Sequence, residues 1–149
     1  MLKARDIMTT DVITVKPTTT VGDLARLLIE HRVSGAPVLT DSGELYGIVT
    51  ENDLVSQNKR LHIPTVLRLF DAYIMLGNPG GVEKELKKMT GTTVADICTK
   101  DIVTITPETS IDEIATIMAD RKIHLIPVIS GGKLAGIIGK IDLIRAMLL

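Results

Sequence analysis

The chain is built from one unit written twice. Asp6-Ile7-Met8-Thr9-Thr10-Asp11-Val12-Ile13-Thr14-Val15-Lys16-Pro17 returns as Asp96-Ile97-Cys98-Thr99-Lys100-Asp101-Ile102-Val103-Thr104-Ile105-Thr106-Pro107. The echo continues through Ala36-Pro37-Val38 and Ile126-Pro127-Val128, through Leu45-Tyr46-Gly47-Ile48 and Leu134-Ala135-Gly136-Ile137, and through Asp53-Leu54 and Asp142-Leu143. A duplicated unit of about fifty residues folds into two similar halves that lean on each other, and a function they share belongs in the cleft between them.

The 149 residues suffice for one good core or two small ones. Hydrophobic residues make up 45% of the chain but aromatic residues only 2%, so the core must be built from Ile, Leu, Val, Ala and Met. That argues against a groove that stacks bases on aromatic rings. A net charge of −1, with the basic residues scattered, leaves no footprint for phosphate neutralisation along a nucleic acid. The single cysteine, Cys98, excludes an internal disulfide and a multi-cysteine zinc site, and it reads as a small core residue in the place of Met8. No apolar run approaches the roughly 20 residues that span a bilayer, so a soluble cytoplasmic protein is expected.

Each unit has the same grammar. Val12 to Val15 and Ile102 to Ile105 are β-branched runs closed by Pro17 and Pro107, and they predict short buried strands. Thr20 and Ser110 predict helix N-caps, with Asp23 and Glu113 placed to reach back to the cap amide. Apolar residues at matching offsets, from Val21 to Leu28 and from Ile111 to Met118, describe one buried face of each helix. Two strands joined by a tight turn follow, Pro37–Thr40 with Leu45–Val49 and Pro127–Ile129 with Leu134–Ile138, and a last helix opens near Thr50 and Gly139. The second turn is one residue shorter.

Val55 to Gly91 has no counterpart. Pro64 suits the first turn of a helix running from Val66 to Leu76, ended by the Gly77-to-Gly81 stretch and followed by a charged stretch, Val82 to Met89. An insertion this apolar is expected to cover the module or a partner chain; a helical spacer on its own module is the alternative. The division is therefore residues 1–57, an insertion at 58–91, and residues 92–149.

Catalytic constellations are missing from this pattern. His31, His62 and His124 have no metal-ligand spacing, and neither a GxSxG elbow nor a GxGxxG loop appears. Gly131-Gly132-Lys133 is followed by Leu134 where a phosphate loop needs Ser or Thr, so it reads as a hairpin turn. What remains is the repeated tail, Gly47-Ile48-Val49-Thr50-Glu51-Asn52-Asp53 and Gly136-Ile137-Ile138-Gly139-Lys140-Ile141-Asp142. There a strand ends, glycine lets something approach the backbone, and a helix start offers amides to an anion. Asp53 and Asp142 could accept two hydrogen bonds from a ribose diol; on the residues alone, Thr50 with Asp53 is rather an ordinary capping box.

Asp6-Ile7-Met8-Thr9, the strand–proline–helix start, His31-Arg32-Val33-Ser34-Gly35-Ala36-Pro37-Val38 and Gly47-Ile48-Val49-Thr50-Glu51-Asn52-Asp53, in order and in two copies, resemble a tandem pair of cystathionine-β-synthase (CBS) domains, a Bateman module, over residues 4 to 54 and 94 to 143. The resemblance implies an α+β fold of two pseudo-symmetric strand-helix-strand-strand-helix units packed through their sheets, with a helical insertion between them. It also implies a non-enzymatic regulatory module. Its two clefts would bind AMP, ADP, ATP or S-adenosylmethionine, with no metal and no catalytic cofactor. Carried over by position, one site combines Ile48, Thr50 and Asp53 with Ser110, Ala115, Ile123 and His124. Its mate combines Ile137, Gly139 and Asp142 with Thr20, Ala25, Val33 and Ser34. Gly139 replaces a usual hydroxyl residue, and Gly35 and Leu125 stand where many members carry an arginine, so the Asp53 site is expected to be the better one. Arg32, Arg121, Lys122 and Lys140 are the candidate phosphate contacts. A homodimer and a separate protein partner are expected, with no role for nucleic acid or membrane. The alternative is a structural or dimerisation module whose clefts bind no ligand.

Overall fold

In a computed structural model the described residues are 2–61 and 92–148, with side chains described outside 57–61. The helices expected between Val66 and Leu76 and between Val82 and Met89 lie outside them.

Each unit opens on a single helical turn, α1 (Ala4–Ile7) or α4 (Val94–Ile97). The first repeated residue caps it: Asp6 Oδ2 accepts from the Lys3 amide at 2.8 Å, and Asp96 Oδ2 from the Thr93 amide at 3.0 Å. Then come the longer helices, α2 (Val21–His31) and α5 (Ile111–Arg121). The expected caps are present, since Thr20 Oγ1 accepts from the Asp23 amide at 3.1 Å and Ser110 Oγ from the Glu113 amide at 3.2 Å. Asp23 does not turn back to the cap; its carboxylate lies 3.4 Å from Arg26.

A hairpin and a closing helix complete each unit: β1 (Gly35–Leu39), β2 (Leu45–Thr50) and α3 (Glu51–Leu61), then β3 (Leu125–Ser130), β4 (Lys133–Gly139) and α6 (Lys140–Ala146). Both hairpins are antiparallel and keep the same register, with Pro37 opposite Ile48 and Pro127 opposite Ile137, and each has a bulge after Val38 or Val128. Gly43, Gly131 and Gly132 take positive φ in the turns, where a side chain would be strained.

The expected strands at Val12–Val15 and Ile102–Ile105 shrink to single parallel bridges, Val15 to Val38 and Ile105 to Val128. Proline sets that limit. Val15 donates to the Pro37 carbonyl at 3.1 Å and accepts from the Leu39 amide at 2.8 Å, so the next rung would need Pro37 to donate to Ile13. Pro37 has no N–H, and Pro127 stops the Ile105 ladder in the same way.

The two units exchange their first segments. Ala4 and Arg5 donate to the carbonyls of Thr109 and Pro107, at 2.8 and 3.0 Å, and Val94 and Ala95 donate to those of Thr19 and Pro17, at 2.8 and 3.0 Å. Apolar packing follows. Fully buried Ala4 belongs to the cluster of Ile114, Ile126, Val128 and Ile138 in the second unit, and fully buried Val94 to that of Leu24, Ala36, Val38 and Val49 in the first. Burying one such Leu or Ile side chain stabilises by roughly 1.5–3 kcal/mol.

Beyond each turn, the exchanged segment adds a rung to the other unit's hairpin. Thr9 and Ile137 trade two amide bonds of 2.9 Å, as do Thr99 and Ile48. Glycine permits the approach, because a Cβ at Gly47 would lie 2.8 Å from the Thr99 carbonyl oxygen and one at Gly136 would lie 2.8 Å from that of Thr9. What the repeated glycine admits is thus the partner segment.

Gly47→Ala is expected to destabilise the protein by about 1–3 kcal/mol through this backbone clash. Gly22→Ala, whose Cβ meets nothing within 4 Å, is expected to stabilise it by about 0.4–1 kcal/mol. Urea unfolding midpoints compare the two; equal behaviour would refute the close-approach account.

Candidate functional site

Two clefts lie between the units. One, of about 240 Å³, is lined by Ile48, Thr50 and Asp53 of the first unit and by Ile123, His124 and Leu125 of the second. The other, of about 680 Å³, sets Ile137, Gly139 and Asp142 against Val33, Ser34 and Gly35. The two units therefore both contribute to the lining of each cleft.

The exchange supplies a wall that the sequence reading missed. Thr9, Asp11, Val12 and Ile13 line the Asp142 cleft, and Thr99, Asp101, Ile102 and Val103 line the Asp53 cleft. The β-branched run read as a strand is instead apolar because it faces a cleft once proline has ended its ladder. The paired Asp11 and Asp101, polar residues at the head of that run in both copies, were the available signal.

Four carried-over residues lie elsewhere. Thr20 and Ser110 cap the far ends of α2 and α5, about 16 Å from the helix ends that reach the clefts. Thr20 bridges to Thr93 and Ser110 to Lys3, so both serve the exchange. Ala115 packs on the second core, and Ala25 sits half-buried on α2; neither lines a cleft. Arg121 is exposed at the end of α5 and also lines neither, whereas Arg32 and Lys140 border the Asp142 cleft and Lys122 the Asp53 cleft.

The helix starts hold less for an anion than expected. Asp53 Oδ2 accepts from the Thr50 amide at 2.8 Å and lies 3.4 Å from the Thr50 hydroxyl; Asp142 Oδ2 accepts from the Gly139 amide at 2.8 Å. The next amides, Glu51 and Lys140, donate to the carbonyls of Ser34 and His124 at 2.8 and 3.0 Å. Protein groups thus occupy these donors. The capping reading and the ribose reading are compatible, because capping uses one carboxylate oxygen and leaves the second. Asp53 Oδ1 has no partner among the described residues, and Asp142 Oδ1 has only Arg145, 3.9 Å away.

His124 lines both clefts, and its Nε2 is buried without a hydrogen-bond partner among the described residues. Such an unmet group costs about 1–3 kcal/mol, a penalty that a ligand or water reaching it would relieve. Near the Asp53 cleft, burial chiefly pushes the half-buried Cys98 thiol up, against the opposing pull of Lys100 and with a smaller push from the Asp53 carboxylate. The thiol therefore stays protonated at neutral pH and is a poor nucleophile.

The basic residues at the mouths are held in strained backbone. Arg32 (φ 53, ψ 46) and Lys122 (φ 54, ψ 40) close α2 and α5 in the left-handed conformation that favours glycine. Each of these left-handed residues borders a cleft, Arg32 that of Asp142 and Lys122 that of Asp53.

The chain belongs to the CBS domain family, whose model matches residues 4–59 and 94–149 and so covers both units. It is 31% identical over 147 residues to the chloroplastic CBS domain-containing protein CBSX1 of Arabidopsis thaliana, a match covering 93% of this chain and 60% of that one. Among solved structures it resembles CBSX2 in complex with AMP, at 27% identity and a TM-score of 0.75, covering 99% of this chain and 97% of that one. It also resembles the CBS domain of a CBS domain containing membrane protein from Sphaerobacter thermophilus, at 32% identity and a TM-score of 0.72, covering 97% and 87%.

Lys122→Gly is expected to raise stability by about 0.5–1 kcal/mol, since relief of about 1–2 kcal/mol of left-handed strain exceeds the entropy cost of glycine. Thermal unfolding without ligand measures this; a loss of stability would mean that the lysine side chain itself holds the helix end.

Proposed function

We propose that this protein is a regulatory module that binds an adenosine-containing ligand, of the class AMP, ADP, ATP or S-adenosylmethionine, between its two units. The observation that carries this reading is the pairing, in each cleft, of an aspartate whose helix cap uses only one carboxylate oxygen with an apolar wall from the other unit. The other oxygen suits a ribose hydroxyl, and the β-branched wall suits a purine face. The likeness to CBSX2, solved with AMP, supports the same class of ligand. The module acts by binding, and its output is a changed association with another chain.

A ribose contact to a charged carboxylate is worth roughly 1.5–3 kcal/mol, so removing one should weaken binding at that cleft about ten- to a hundredfold. Titration calorimetry of Asp53→Ala and Asp142→Ala with the four ligands checks this, with Asp→Asn variants as partners that retain the helix cap. If none of the ligands raises the melting temperature of the unaltered protein at millimolar concentration, the reading fails.

A dimer also belongs to this reading, supported by the face of α6. Ile141, Ile144, Met147 and Leu148 are 58%, 48%, 68% and 85% exposed on or just beyond that helix. An apolar patch of this kind marks an association surface. Ile144→Glu is expected to convert a dimer to a monomer in sedimentation; an unchanged mass would exclude this face as the interface.

A further inference from the structure

We propose that the two clefts sort adenosine ligands by charge: the Asp142 cleft takes a phosphorylated nucleotide, and the Asp53 cleft takes a nucleoside without phosphate. This rests on the adenosine-binding reading above and assigns a ligand class to each site.

Discrimination must come from groups the clefts do not share. His124 and Leu125 line both, and Asp53 and Asp142 are equivalent. The difference lies in the remaining charges. The Asp142 cleft brings Arg32, Lys140 and Arg145 to its lining, opposed by Asp11, Glu51 and Asp142 itself. Among the described residues Lys122 alone supplies a cation to the Asp53 cleft, against Asp53 and Asp101. Arg32 and Lys140 have no ion-pair partner among the described residues, so a phosphate would gain their charge without breaking a salt bridge. In the Asp53 cleft a phosphate would meet an excess of carboxylates, and like charges in one site repel.

Size points the same way, independently of charge. At about 680 Å³ the Asp142 cleft lies within the roughly 300–1,000 Å³ of ordinary ligand sites. At about 240 Å³ the Asp53 cleft falls below it, and a polyphosphate is the first thing it would exclude. This reverses the ranking drawn from the missing hydroxyl at Gly139. One lost hydrogen bond there is outweighed, for an anionic ligand, by Lys140 next to it.

Isoleucine-methyl NMR of the full chain at low ionic strength separates the sites, because Ile137 reports on one cleft and Ile48 and Ile123 on the other. ADP is expected to shift the Ile137 methyl, adenosine those of Ile48 and Ile123, and each to bind in the presence of the other. Asp142→Asn should remove the ADP response alone and Asp53→Asn the adenosine response alone. Lys140→Gln should weaken ADP by about five- to tenfold and leave adenosine unchanged. Added salt should weaken ADP selectively. If ADP and adenosine shift the same methyls and displace each other, or if Lys140→Gln leaves ADP affinity intact, sorting is wrong while nucleotide binding stands. If neither ligand shifts any methyl at millimolar concentration, the underlying reading falls with it.

Discussion

Everything in this molecule depends on the reciprocal exchange of the two opening segments. Ala4 completes the core of the second unit and Val94 that of the first, and each is fixed by backbone bonds from the helical turn that carries it. The two units are therefore not domains that dock after folding. Each lacks a core residue and a rung of its sheet until the other supplies them. The exposed ion pairs between Lys3 or Arg5 and Glu108 lie along the same seam, but exposed pairs contribute little, and the apolar burial and amide bonds dominate.

The exchange also builds the clefts. After pairing with Ile137 at Thr9, the first segment runs on through Asp11, Val12 and Ile13 along the wall of the Asp142 cleft, and Thr99 to Val103 does the same across from Asp53. Proline then decides what that wall is made of. Because Pro37 and Pro127 cannot extend the parallel ladder, the β-branched side chains ahead of Val15 and Ile105 are left for the cleft rather than absorbed by a sheet. Stability and site thus share one set of residues.

Much of this was legible in the sequence. Thr20 and Ser110 cap their helices as the pattern requires, the hairpins keep their predicted pairing, and the tail with Asp53 or Asp142 reaches a cleft made with the other unit. Those features are local, or repeat with a fixed offset. The exchange was not legible, because Gly47 and Gly136 announce a close approach without saying what approaches. Thr20 and Ser110 do not line the clefts for a related reason: an eleven-residue helix separates them, and its length outweighs their polarity. The left-handed backbone of Arg32 and Lys122 was hidden too, since neither is the glycine that usually marks it.

The exchanged turns also govern the order in which the protein can be made. A ribosome delivers Leu24, Val38 and Val49 long before Val94, so the first core stays open at one side until the second unit has begun to emerge. Ala4, delivered before any of these, must wait still longer for Ile114 and Ile138. Contacts so distant along the chain slow folding and leave apolar surface exposed meanwhile. The nascent first unit thus carries an unfilled core until its counterpart arrives.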